Sequence, residues 1–111
     1  MKAFMDEDFL LNTPTAQALY HGTAETLPIP DYHCHISPKE IAENQPLGNI
    51  SKVWLGGDHY KWRVMRASGV PERNITGDGS DWDKFFAFAS IMPGLIGNPI
   101  YHWSHLELKR G

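Results

Sequence analysis

The sequence predicts a mostly helical α/β fold with one buried strand. A short apolar run bounded by prolines, at about residues 29–35, has the composition of a buried strand and ends in His33-Cys34-His35. A helix start signal, Ser37-Pro38, follows at once, and strand followed by helix is the order found in α/β proteins. Similar start signals recur along the rest of the chain, so helices outnumber strands.

The helices are predicted from their end signals, after an extended arm or short turn over residues 4–11. Thr13 and Pro14 begin the first helix, which runs to Leu27 and ends before Pro28. Five later helices are predicted. The first begins at the capping box Ser37-Pro38-Lys39-Glu40 and ends at about 44, and the others span Asn49 to 55, Asp58 to Gly69, Ser80 to Pro93, and Asn98-Pro99 to near Lys109.

The composition excludes several classes of protein. The 111 residues are 41% hydrophobic and 21% charged with a net charge of -3, which gives no basic surface for nucleic acid or an anionic membrane. One cysteine excludes an internal disulfide and fits a reducing compartment. The N-terminus turns acidic where a signal peptide is apolar, and no apolar run reaches about 18 residues. We expect a soluble, cytoplasmic protein.

A lone strand has no ladder partners for its backbone N–H and C=O groups. Either the strand is misassigned, it pairs between chains, or the polypeptide opens a longer α/β protein. The final helix is still running near Lys109, where the chain ends, and this favours the third interpretation.

His33 and His35 form the leading candidate metal site. Alternate strand residues share a face, so the two Cα atoms lie about 6.6 Å apart and both imidazoles can reach one ion, while Tyr32 and Cys34 point the other way. The alternative, a strand that happens to carry two histidines, has at least even weight for a bare His-x-His. The end of a strand before a helix is where α/β proteins bind ligands, and this favours the metal.

Asp58, His59 and Tyr60 form a second candidate site, at a helix start after Gly56-Gly57. A helix N-terminus favours a carboxylate-bearing substrate. Tyr60 could act as general acid or base, and His59 could donate to a substrate oxygen. Spacing alone favours the alternative, in which Asp58 is only a cap, His59 a surface residue and Tyr60 a core aromatic.

Other chemically capable residues are assigned structural roles. Arg63 and Arg66 are read as solvated partners of a helix C-terminus, His102 and His105 lack a third ligand, and Cys34 is read as a packed thiol. The aromatic residues, without interleaved basic ones, predict a helical core: Trp54, Trp62, Trp82, Trp103, Phe85, Phe86 and Phe88.

Three separated motifs resemble the N-terminal region of the uronate isomerase (glucuronate isomerase) family. They lie at residues 31–41 (Asp31-Tyr32-His33-Cys34-His35 to Ile41), 54–63 (Trp54-Leu55-Gly56-Gly57-Asp58-His59-Tyr60 to Arg63) and 102–108. The resemblance covers essentially the whole chain. It implies the N-terminal fragment of a distorted (β/α)₈ barrel of the amidohydrolase superfamily, with its first strand at about 29–35 and a helical insertion at about 49–111.

The resemblance also implies an activity, the interconversion of D-glucuronate with D-fructuronate and of D-galacturonate with D-tagaturonate. His33 and His35 become ligands of a divalent metal, commonly zinc, Tyr60 a catalytic residue and His59 a substrate-binding residue. A whole barrel needs about 250 residues. The remaining metal-ligand aspartate and the substrate-binding arginines are therefore expected outside this chain, and the chain alone is expected to be inactive.

Three alternatives stay open. The chain could belong to a metal-dependent hydrolase of the same superfamily, in which the histidine pair helps to activate water. It could be a non-catalytic small helical binding domain whose histidines are incidental. It could also assemble, with several copies in a homo-oligomer or a complementary fragment supplying the missing strands.

Overall fold

The computed structural model describes residues 3–110, which divide into two compact units, one up to Cys34 and one from His35. The described residues form α-helices and short 3₁₀ turns, with no strand among them. The α-helices are α1 (Pro14–Gly22), α2 (Pro38–Ala42), α3 (Ile50–Leu55), α4 (His59–Ala67), α5 (Asp81–Ile91) and α6 (Pro99–Arg110), and the 3₁₀ turns are Ala24–Thr26, Glu72–Asn74 and Met92–Leu95.

In the first unit, α1 begins where the sequence predicts. The Thr13 hydroxyl accepts a hydrogen bond from the Ala16 amide at 3.1 Å, which caps the helix. The helix ends at Gly22 instead of Leu27, because Thr23 leaves the helical region with φ −146° and a 3₁₀ turn follows. The predicted long first helix is thus an α-helix plus a separate turn.

The strand predicted at about 29–35 is not formed in the described part of this chain. The backbone there has no regular structure, and Ile29 and Tyr32 are 90% and 96% exposed. The His33 amide bonds to the Asp31 carboxylate at 3.3 Å instead of to a neighbouring strand. The physical reason is the missing ladder, since one strand without neighbours cannot satisfy its backbone groups in a core.

The second unit contains the hydrophobic core. Helices α3 to α6 and the turns between them contribute its buried side chains, which are Leu55, Met65, Ile75, Phe88, Leu95 and Ile100. Met65 is fully buried and Phe88 is 1% exposed. Because Met65 of α4 is part of this core, packing holds α4 in place, and α4 carries one of the candidate sites.

The aromatic residues are only partly in this core, which corrects the prediction. Trp54 and Trp62 are half-buried against the core, and the half-buried Phe85 stacks on Trp54. Trp82 and Phe86 are 69% and 60% exposed and stack on each other with centroids 6.2 Å apart. Helical spacing explains the split, because α5 has aromatic residues on two faces and only one face meets α3. Trp103 is also exposed.

Most of the predicted helix ends in the second unit are confirmed. The Asn49 side chain accepts from the Lys52 amide at 3.1 Å, and Gly69 has the left-handed φ of +78°. The capping box at Ser37 is an exception, since the Ser37 side chain makes no capping hydrogen bond to α2.

Candidate functional site

The N-terminus of α4 presents His59 and Tyr60 at the surface of the second unit. The Asp58 carboxylate caps the helix, and its Oδ1 accepts from the Tyr60 amide at 2.9 Å and the Lys61 amide at 3.0 Å. His59 is exposed and Tyr60 is 61% exposed. The alternative in which Tyr60 is a core aromatic is therefore wrong, while the cap role of Asp58 is confirmed.

Packing orients the His59 ring. It contacts the Trp62 ring with centroids 4.6 Å apart, and the Trp62 indole N–H donates to the Leu55 carbonyl oxygen at 2.5 Å. Leu55 is a core residue. The imidazole of His59 therefore rests on a side chain that is itself tied to the end of α3.

The Tyr60 ring lies beside a cation. The Arg63 guanidinium is 5.7 Å from the ring centroid, within the range of a cation–π interaction. Arg63 thus has a local partner on its own helix. Arg66 also has one, because its Nε donates to the Glu72 carboxylate at 2.8 Å, so its predicted role as a solvated charge is corrected to an ion pair.

Beneath this surface lies a buried lysine. Lys61 is 4% exposed, and its Nζ donates to Asp58 Oδ2 at 2.8 Å and to Glu107 Oε2 at 3.1 Å. Burial opposes ionisation of Asp58, but the bonds from the Lys61 ammonium and from the Lys61 and Tyr60 amides outweigh it and hold the pKa of Asp58 below its ordinary value. Asp58 is thus a charged cap.

Sequence reasoning missed this lysine and its partner Glu107. The spacing of Asp58 and Lys61, three residues apart across a helix start, was a usable signal for half of the network. The other half lies on α6 and carries no local signal.

The two glycines before α4 differ in what they do. A Cβ at Gly56 would overlap the Lys52 carbonyl oxygen, whereas a Cβ at Gly57 would meet nothing within 4 Å. Close packing against the Lys52 carbonyl therefore explains why a glycine occupies position 56. Gly57 borders open space next to the exposed His59.

His33 and His35 are both exposed side chains of an irregular segment, and His33 belongs to the first unit whereas His35 is the first residue of the second. Imidazole nitrogens are suitable zinc ligands, but two of them are fewer than the three or four protein ligands that a zinc site usually has. In residues 3–110, no group of three or more His, Cys, Asp or Glu side chains could hold a metal ion. The residues present do not fit a complete metal site by themselves.

The remaining predicted structural residues have mixed outcomes. The His105 Nδ1 lies 2.5 Å from the Tyr101 carbonyl oxygen, which fits a structural role. Cys34 is exposed, so the prediction of a packed thiol is wrong, because the strand whose reverse face would cover it is not formed.

Over the described range, no helix combines the length and hydropathy needed to cross a membrane.

Comparison with known proteins identifies the family. A family model described as glucuronate isomerase matches residues 1–111. Curated uronate isomerases of Bacillus pumilus, Caldicellulosiruptor bescii and Lachnospira eligens are 64%, 63% and 64% identical to this chain over 110 residues, which is 99% of it. The chain spans only 23–24% of the length of these relatives. Because the family model matches every residue of this chain, the chain belongs to the glucuronate isomerase family.

Proposed function

We propose that these residues form the N-terminal part of an enzyme that interconverts aldose and ketose hexuronates. D-glucuronate and D-galacturonate are the proposed substrates, and D-fructuronate and D-tagaturonate the products. The observation that carries the proposal is the identity of 63–64% with proteins named uronate isomerase over 99% of this chain.

The α4 N-terminus has the groups that this reaction needs. Isomerisation moves a proton between C2 and C1 of the sugar through an enediol, so it needs an acid or base at those carbons and a donor for the developing oxyanion. The exposed Tyr60 hydroxyl is the proposed acid or base, and the exposed His59 imidazole is the proposed donor to a substrate oxygen.

The segment at about 29–35 is proposed to become the first strand of a (β/α)₈ barrel in the longer protein. It is already free of helix, and it exposes apolar side chains such as Ile29 that a core would cover. Neighbouring strands would supply the ladder hydrogen bonds of a sheet, and no strand forms among residues 3–110 to supply them. Residues 49–111 then form a helical insertion that precedes the second strand.

His33 and His35 are proposed to supply two ligands of a divalent metal, zinc being the first choice for two imidazoles. Such an ion would supply Lewis-acid attraction for substrate oxygens. The third ligand, a carboxylate, and the arginines for the substrate carboxylate are proposed to come from the remaining three quarters of the protein. For that reason we propose that the 111-residue chain alone is inactive.

We further propose that the enzyme is cytoplasmic, since its only cysteine in this region is exposed and unsuited to an oxidising compartment. Assembly into a homo-oligomer is also proposed, and light scattering on the full-length protein tests it.

The proposal is tested on the full-length protein that contains these residues. Wild-type enzyme should convert D-glucuronate or D-galacturonate to the ketose in D₂O, with deuterium entering at C1 of the product. Tyr60→Phe should lower kcat by about a hundredfold or more, as expected for loss of a general acid or base. Tyr20→Phe, on α1, is the matched control and should leave kcat unchanged. Hydrolysis of amides or esters without isomerisation would contradict the proposal and favour a hydrolase.

The metal assignment has its own test. His33→Ala and His35→Ala should each lower the zinc content of the full-length enzyme measured by elemental analysis, while His102→Ala, on α6, should not. Unchanged zinc in both of the first two variants would remove these histidines from the site.

A further inference from the structure

The network around Lys61 is not explained by helix capping alone. Its ammonium is almost fully buried between two carboxylates, those of Asp58 and Glu107, and lies 4.9 Å from the centroid of the Trp54 ring. The Trp54 indole N–H donates to the same carboxylate oxygen of Glu107 that Lys61 contacts. The Lys61 ammonium therefore contacts three side chains from different parts of the second unit: Trp54 of α3, Glu107 of α6, and Asp58, the residue before α4.

Stability is a weak reason for this arrangement. A buried ammonium loses its hydration, and replacing all members of a buried ion-pair network together with apolar side chains of similar volume is often neutral or stabilising. Methionine would fill the same space next to Trp54. What methionine could not do is fix the direction of the Asp58 carboxylate.

The direction of that carboxylate matters for the candidate site. Asp58 uses Oδ2 for Lys61 and Oδ1 for the amides of Tyr60 and Lys61, so the ammonium holds the carboxylate in the rotamer that caps α4. His59 and Tyr60 are the first two residues of the helix that this cap begins. Glu107 fixes the ammonium from the other side.

We propose that Lys61 is a positioning residue for the isomerisation, and that it holds His59 and Tyr60 in place through Asp58 and Glu107. Lys61 itself does not contact the substrate. This inference rests on the proposed function, because it takes His59 and Tyr60 as the groups that act on the sugar.

The test compares Lys61→Met with Lys52→Met in the full-length enzyme. Lys52 is an exposed lysine of α3 with a looser ion pair, 3.8 Å from Asp81, and its variant should behave as wild type. Lys61→Met should lower kcat by between about ten- and a hundredfold, as expected for small displacements of reacting groups. Lys61→Met leaves the carboxylates of Asp58 and Glu107 without their shared cation, so its melting temperature should fall, while its far-UV circular dichroism well below that temperature should match that of wild type. Lys61→Arg should regain part of the lost kcat.

A normal kcat in Lys61→Met would overturn the inference, as would a lower melting temperature with a normal kcat for the folded fraction. If Lys61→Met does not fold, Glu107→Gln decides, since it keeps the side-chain volume and removes one of the two charges that fix the ammonium. A kcat in Glu107→Gln equal to that of wild type would then overturn the inference. Inactive wild-type enzyme on all hexuronates would instead contradict the proposed function, so the two failures are distinguishable.

Discussion

Two phenylalanines on α5 give a matched test of the core. Phe88 is 1% exposed and contacts the Trp54 ring edge-on at 5.5 Å, while Phe86 is 60% exposed on the same helix. Truncating a buried phenylalanine to alanine costs about 3–5 kcal/mol in the free energy of unfolding. Truncating Phe86 loses mainly its stacking with Trp82, and should cost less than about 1 kcal/mol.

These costs are large relative to the stability of a small unit. At roughly 0.05–0.15 kcal/mol per residue, the unit from His35 onwards has about 4–11 kcal/mol in total. Each 1 kcal/mol corresponds to about 4–8 °C in a domain of this size, so Phe88→Ala should lower Tm by at least about 12 °C. Phe86→Ala should lower it by less than about 8 °C.

The assay is thermal unfolding of the 111-residue chain followed by near-UV circular dichroism, with urea unfolding as the second measurement. Equal Tm values for the two variants would refute the assignment of Phe88 to the core. A wild-type chain without a cooperative transition would refute the independent core itself.

Three further predictions concern charge and backbone. The Glu72 carboxylate, bonded by Arg66 and Thr76, has its pKa lowered to about 2. Its contribution to stability is therefore present above the ordinary pKa of 4.5 and is lost as the pH falls towards 2, and an NMR titration should show this low pKa. His21 has its pKa raised above 6.5 by hydrogen bonds to two acidic neighbours, so its contribution is complete below 6.5 and is lost as the pH rises through the raised value. Gly56→Ala should destabilise the chain by about 1–3 kcal/mol in urea unfolding because of overlap with helix backbone, whereas Gly57→Ala should be neutral.

Each of these predictions has a clear contrary result. Wild-type Glu72 titrating near 4.5 would contradict the Arg66 pair, and Arg66→Ala is the control that should bring the pKa back towards that value. A His21 pKa at or below 6.5 would contradict its two ion pairs. Equal losses in both glycine variants would contradict the geometry at the end of α3.

Local signals predicted the helices well and the environment of individual side chains less well. Caps such as Asn49 and Asp58 and the left-handed Gly69 act within a few residues, so the sequence reveals them directly. The strand failed for a different reason. Its apolar run predicts burial between neighbouring strands, and residues 3–110 form no strand that could be such a neighbour.

The candidate site was predicted in part. The motif Asp58-His59-Tyr60 lies at a capped and exposed helix start as the pattern indicates. The support for that start is non-local, because Glu107 is distant in sequence and only the packing of α6 brings it to Lys61. The roles of His33, His35, His59 and Tyr60 stay predictions.

The irregular segment before α2 has a consequence for biosynthesis. In the proposed barrel, residues 50–110 can pack around their own core during synthesis while Ile29 and Tyr32 of the proposed first strand are still exposed to solvent. An exposed apolar strand of this kind can pair with other nascent chains. Pro28 and Pro30 lack N–H groups, so each removes a donor that a foreign strand would use. In the proposed barrel, the two prolines would thus limit aggregation before the neighbouring strands are synthesised.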